Sequence, residues 1–293
     1  MKNKLSLFAV PYVGWMSIFV VAPIIIMVVY AFSTAAGDFT LENFARMGTY
    51  TAVFTRSFKL AIIATLIALL IGYPVSYMLS KEGPQVQRIA MVLIMLPMWM
   101  NFLLRTYSWM SILENNGLLN QLFQQIGLID LYNQIAMHFA SDPAAYVPID
   151  HFQMIGTQGA VVLGMVYNYL PFMILPIYSV LVKLDHSLIE AARDLGASSV
   201  QVFRKVILPL SLPGVLSGIT MVFVPSVSTF VISRLLGGGT QMMLGDLIEQ
   251  QFLGGAYNPQ LGAAIALVMM AIVVVCMLVM NRFGDGEEQA VML

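Results

Sequence analysis

Apolar residues along this chain gather in blocks, and six of them are long enough to cross about 30 Å of hydrocarbon as helices rising about 1.5 Å per residue. They run roughly over Leu7–Phe32, Leu60–Leu79, Ile89–Leu113, Val161–Val182, Val215–Leu236 and Leu261–Met280. The pattern predicts an all-α fold, a polytopic membrane helix bundle of six transmembrane helices. Lys2 and Lys4 ahead of the first block, and Ala35 and Ala36 after it, give the start the look of a secretory leader. The apolar run is longer than the ~7–15 residues of a leader, so it reads as a retained first span. Every block but the last holds a proline: Pro23, Pro74, Pro97, Pro171 with Pro176, and Pro225. Proline removes a backbone hydrogen bond and kinks a helix, which a membrane tolerates where neighbours or water serve the freed carbonyl. Between blocks three and four, Leu118, Leu119, Leu122, Phe123 and Ile126 fall at helical spacing beside Gln121, Gln124 and Gln125. This predicts a short amphipathic helix within 116–129. The residues that follow, with Asp142, Pro143, Pro148 and Asp150, read as loop. The chain divides into a first helix with its outer loop (1–55), a core (56–282) and a short tail (283–293).

Composition agrees with a lipid environment. Of 293 residues, 59% are hydrophobic and 10% charged, with mean hydropathy +0.83. Soluble domains run nearer a quarter charged. Nine basic residues fall on one side of the predicted spans: Lys2, Lys4, Lys81, Arg88, Lys183, Arg193, Arg204, Lys205 and Arg282. The other side's loops hold only Arg46, Arg56 and Lys59. The positive-inside rule then puts both termini in the cytoplasm, as an even number of spans requires. Arg105 and Arg234 lie late in blocks three and five. Two readings stand for them: snorkelling to the outer interface, or contact with an external partner at the pathway mouth.

The net charge of −1 gives no reason to expect nucleic acid. A single cysteine, Cys276, excludes a disulfide framework. His138, His151 and His186 show no metal-ligand spacing and read as surface residues. No Ser/His pair and no acidic cluster suggests catalysis, so no enzyme activity and no catalytic residue are expected.

One segment carries more information than the rest. The loop 183–210 holds four of the nine inner basic residues. It is helix-forming to Leu195, broken at Gly196, helix-forming again from Ser199, and expected to stop at Pro209. It contains Glu190-Ala191-Ala192, then Gly196, Val206, Leu208 and Pro209. This spacing resembles the EAA motif of ABC-importer permeases, with Val206 standing where that pattern has isoleucine. The resemblance implies that Glu190, Ala191, Ala192, Asp194, Gly196, Leu208 and Pro209 form a coupling element that docks on an ATPase. Gly237-Gly238-Gly239 is not followed by Lys-Ser/Thr, so it is not a P-loop. No cofactor is expected on this chain, with ATP and Mg on the partner subunit.

Similarity to the permeases of spermidine/putrescine importers (the PotB-like type) extends further. It runs through Gly72-Tyr73-Pro74, Leu96 to Asn101, Arg105-Thr106-Tyr107, Asn116 to Asn120, Gly127 to Asp130, Leu170 to Met173 and Leu184 to Ser198. The resemblance implies a MetI-like transmembrane fold in the bacterial inner membrane. It also implies an ABC ATPase dimer, a second PotC-like permease chain, an external polyamine-binding protein and surrounding membrane lipid. With no acidic residue near the middle of a span, a polyamine would need aromatic faces and polar groups. Candidates along the pathway are Trp99, Asn101, Tyr107, Tyr167, Asn168, Tyr169, Phe223, Ser228 and Phe230, each of which helix packing or an interfacial aromatic belt also explains. Arg105 and Arg234 are the candidates for the outer mouth. Related ABC-importer cargo (ferric iron, an opine) stays open, as does an ion-driven secondary transporter, although the mid-membrane ionisable groups and repeated halves of that class are not visible.

Overall fold

The computed structural model describes residues 11–139 and 146–291. The start of the first block at Leu7, and Asp142 and Pro143 of the outer loop, lie outside them. Among the described residues every regular element is a helix. In chain order these are α1 (Pro11–Ala31), α2 (Glu42–Ser80), α3 (Pro84–Trp99) and α4 (Phe102–Leu113). Then come α5 (Leu118–Gln125), α6 (Leu128–Phe139), α7 (Gln158–Leu181) and α8 (His186–Asp194). The last four are α9 (Ser199–Ser228), α10 (Val231–Leu236), α11 (Leu244–Leu253) and α12 (Pro259–Val291). Among the described residues five helices are long and apolar enough to span, and α3 with the run Phe102–Gln125 makes a sixth span if that bent pair is counted as one.

The centre of the bundle is α2, α7 and α9 packed on one another. Close approach is allowed by small residues, since lipid tails give no hydrophobic drive between helices and contact must come from fit. Gly214 and Gly218, four apart on α9, face α7. A Cβ on Gly214 would come within 2.8 Å of the Pro176 carbonyl oxygen, and one on Gly218 within 3.1 Å of that of Met173. Polar bonds join the same helices: Ser76 Oγ donates to the Ile174 carbonyl at 3.1 Å, and the Tyr73 and Ser211 hydroxyls meet at 2.9 Å. By contrast α1 touches the bundle mainly at its C-terminal end, where Ala31 packs on Ala263 and Ala264 of α12.

Four features depart from the sequence expectation. The residues after 129 were expected to be loop, yet α6 continues to Phe139, with Ile129 buried. Block three is not one helix, because α3 and the helical run after it meet at 90°. Pro97 lacks an N–H, Met100 is extended (ψ 149°), and Asn101 restarts the helix by accepting the Leu103 N–H at 2.8 Å. Block five ends earlier than expected, at Ser228, with Thr229 extended (ψ 141°) before α10. Gly245 of α11 sits against this break, where a Cβ would lie 2.4 Å from the Ser228 carbonyl oxygen. Pro209, finally, does not stop the helix. A π-turn at Phe203–Ile207, closed by the Leu208 N–H on the Phe203 carbonyl, lets the chain pass Pro209 and continue as α9.

Candidate functional site

The segment between α7 and α9 is built by its own caps. Asp185 accepts the Ser187 N–H at 2.9 Å and starts α8; that bond, with the Ser187 hydroxyl, holds the Asp185 carboxyl below the usual carboxylate range. Gly196 ends α8 in the left-handed region, φ +82°, and the Ala197 N–H returns to the Ala192 carbonyl at 3.0 Å. Ser198 then caps α9 in a reciprocal box with Gln201, the Ser198 N–H donating to Gln201 Oε1 at 2.8 Å and the Gln201 N–H to Ser198 Oγ at 3.4 Å.

The resulting helix–turn–helix has two faces. Ile189, Ala192 and Ala197 turn inward and pack on a cluster that includes Leu181, Val202 and Ile207. Glu190, Ala191, Asp194 and Gly196 are exposed, and Leu195 is 89% exposed. No atom outside its own turn comes within 4 Å of a Cβ built on Gly196. Leu188 (48% exposed) and Val200 (66% exposed) add to the apolar surface open beside Leu195. Inward, Phe203 sets its ring edge-on to Tyr73 (5.9 Å) and Tyr77 (5.5 Å) of α2, so the segment is tied to α2 as well as to its own flanking helices. Sequence reasoning did not find this aromatic tie. Tyr73 and Tyr77, one turn apart in an apolar block, were the available signal. Leu208 is partly exposed and Pro209 half-buried, both just after the π-turn of α9.

The pathway candidates do not form one surface. Trp99 (75% exposed), Tyr107, Ser228 and Phe230 lie on free faces. Asn101 is exposed with its side chain engaged in the cap of α4. Tyr169 is half-buried between the two main core clusters. Phe223 is not on a free face: it is buried, its ring centre 6.2 Å from that of Phe58. Tyr167 stacks edge-on with Trp109 at 5.3 Å, and Asn168 is buried with Nδ2 donating to the Gly164 carbonyl at 2.9 Å.

Neither arginine reaches out alone. Arg105 is 8% exposed, because the bend before α4 turns its side chain into the protein; Nε and Nη1 have no partner there, and the guanidinium lies 5.9 Å from the Phe102 ring centre. This overturns its snorkelling, which assumed a straight span. Arg234 forms an ion pair with Glu249, bridging α10 and α11. Beside that pair, Asp246 is buried and accepts from the Ser233 hydroxyl at 2.5 Å and the Met243 N–H at 3.0 Å; burial pushes its carboxyl up.

Residues 64–286 match the family described as binding-protein-dependent transport system inner membrane component. The chain belongs to that family. The permease is 35% identical over 281 residues to the spermidine/putrescine transport system permease protein PotB of Escherichia coli K12, covering 93% of this chain and 95% of the relative. It is also 35% identical over 285 residues to the PotB of Haemophilus influenzae, covering 93% of each. Among solved structures, a chain of a bacterial ABC transporter involved in import of the acidic polysaccharide alginate superposes with TM-score 0.75 over 97% of this permease and 96% of that chain, at 16% identity. A chain of the MetNI methionine ABC transporter does so with TM-score 0.53 over 84% of this permease and 98% of that chain, at 18% identity. These two likenesses are of fold. The permease is a multi-pass membrane subunit with the MetI-like helical architecture.

Proposed function

We propose that this permease forms half of a translocation pathway for polyamines of the spermidine/putrescine class, with a second permease chain, an ATPase dimer and an external binding protein as partners. The basic end of the bundle, with α8, is cytoplasmic, as are both termini. ATP is hydrolysed on the partner subunit, and its motion enters through α8. The observation that carries the coupling role is the exposed face of Glu190, Ala191, Asp194, Leu195 and Gly196 on a helix rigidly capped at both ends. The cargo reading is supported by similarity to polyamine permeases across 93% of the chain. Trp99, Tyr107 and Phe230 offer exposed rings for cation–π contact, and Ser228 an exposed hydroxyl.

Gly196→Asp tests the coupling role. Because the space around Gly196 is open within this chain, the new carboxylate meets what docks there, and its cost within the chain is the backbone strain of φ +82°. Aspartate also tolerates the left-handed region better than most side chains. In the complete transporter, labelled spermidine uptake is expected to fall at least about tenfold, a change of ~1.4 kcal/mol in coupling, with membrane insertion unchanged. Uptake at the normal rate would end the coupling assignment. Trp99→Ala is expected to weaken spermidine transport while ATPase docking is retained; unaltered transport kinetics would make Trp99 a packing residue.

A further inference from the structure

A cavity of about 340 Å³ opens at the basic end between α2, α7, α8 and α9, and nothing described so far uses it. Its polar lining is Ser80, Lys81, His186, Arg193 and Ser199, with no carboxylate among the lining residues. Neither Lys81 nor Arg193 makes an ion pair among the described residues. Lys81 Nζ lies 3.8 Å over the Tyr77 ring, which orients the ammonium without neutralising it. Ser199 is the first residue of α9, a 30-residue helix whose first-turn N–H groups add positive potential. The floor is aliphatic, from Leu184 and Ile207. Two cations, the Ser199 hydroxyl and a helix start around one concavity match a phosphate group, while the Ser80 hydroxyl donates to the Tyr77 carbonyl at 2.9 Å.

Lipid is favoured over a soluble phosphate by what lies above Lys81. On α2, Leu70, Pro74 and Met78 are exposed and spaced four apart, and Lys81 follows three residues after Met78. At that spacing all four share one helix face, an apolar stripe ending in a cation. Acyl chains along the stripe would bring a headgroup to the cavity.

We propose that this cavity binds the phosphate of one anionic phospholipid headgroup per chain. The bound phosphate bridges Lys81, the residue that ends α2, to Arg193 of α8, adding an electrostatic strut beside the Phe203 ring contacts. Lipid charge thereby sets how stiffly α8 is held against the bundle. The last statement rests on α8 being the coupling helix; the binding site itself does not.

The test uses the whole transporter, purified with its partner subunits from bilayers of phosphatidylethanolamine and phosphatidylglycerol, with retained lipid counted by native mass spectrometry. The wild type is expected to retain one phosphatidylglycerol per copy of this chain. Lys81→Gln with Arg193→Gln should lower the apparent affinity about tenfold or more, each basic residue near an anionic surface contributing comparably. Lys81→Arg with Arg193→Lys should restore it, and Lys205→Gln, outside the cavity, should leave it unchanged. Equal retention in the glutamine pair, or an equal loss in Lys205→Gln, overturns the site. Glycerol 1-phosphate or inorganic phosphate binding as tightly as the lipid overturns the lipid assignment in favour of a soluble phosphate. The readout needs neither nucleotide nor cargo, so normal uptake in Gly196→Asp would remove the coupling reading and leave this result standing.

Discussion

Single atoms decide how closely the central helices approach. At Gly214 the obstacle to a side chain is the Pro176 carbonyl and the Ile177 Cα, at 2.8 and 3.1 Å from a built Cβ, and backbone cannot swing aside as a side-chain end can. Gly214→Ala is therefore expected to destabilise the bundle by about 1–3 kcal/mol, the usual cost of overpacking. Unfolding in detergent measures it; Gly14→Ala, inside α1 with nothing within 4 Å of its Cβ, is the matched control. Asp246 makes a different demand. Its carboxyl is pushed up by burial, so the folded state binds the proton more tightly than the unfolded one. Its contribution is then most favourable below the unfolded carboxylate pKa and diminishes as pH rises through the folded value. Asp246→Asn keeps an acceptor for the Ser233 hydroxyl and the Met243 N–H, and should flatten that part of the stability–pH curve. An unaltered slope would assign it to other groups.

Helices show where reading the sequence stops. Blocks one, two, four and six were legible because an 18-residue apolar run has one solution in lipid, and α8 was legible because Gly196 and Ser198 are strong local signals. Two prolines misled in opposite directions. At Pro209 a stop was expected, yet the π-turn before it absorbs the missing donor; at Pro97 a kink was expected, yet the chain breaks by 90°. Hydropathy is blind to both, since neither changes which residues are apolar. The break explains Asn101, a pathway candidate whose oxygen is held by the Leu103 N–H. Asn101→Ala should cost about 1 kcal/mol of stability and Asn101→Ser should recover most of it, as expected of an N-cap. Lowered uptake in the serine variant at wild-type stability would instead return Asn101 to the pathway.

Across the whole molecule, the continuity of α9 matters most. Thirty residues from Ser199 to Ser228 span about 45 Å at ~1.5 Å per residue, so the turn at Gly196, which we propose couples to the ATPase, and the exposed Ser228 are joined by one continuous helix. A helix stopped at Pro209 would have put a joint there. The observed helix continues through it, and its N-terminal end is held to α8 by the Ala197 N–H on the Ala192 carbonyl and to α2 by Phe203. Displacing α8 should then tilt the outer end of α9 near Phe230, where the break before α10 lets the two segments part. A flexible joint in the helix should uncouple its ends. Leu216→Gly with Ser217→Gly, in mid-helix, should lose about 1 kcal/mol of helix preference and loosen the helix there. ATP hydrolysis by the complete transporter should persist while spermidine uptake drops about tenfold or more, and uptake keeping pace with hydrolysis would mean that force reaches the outer end by another helix.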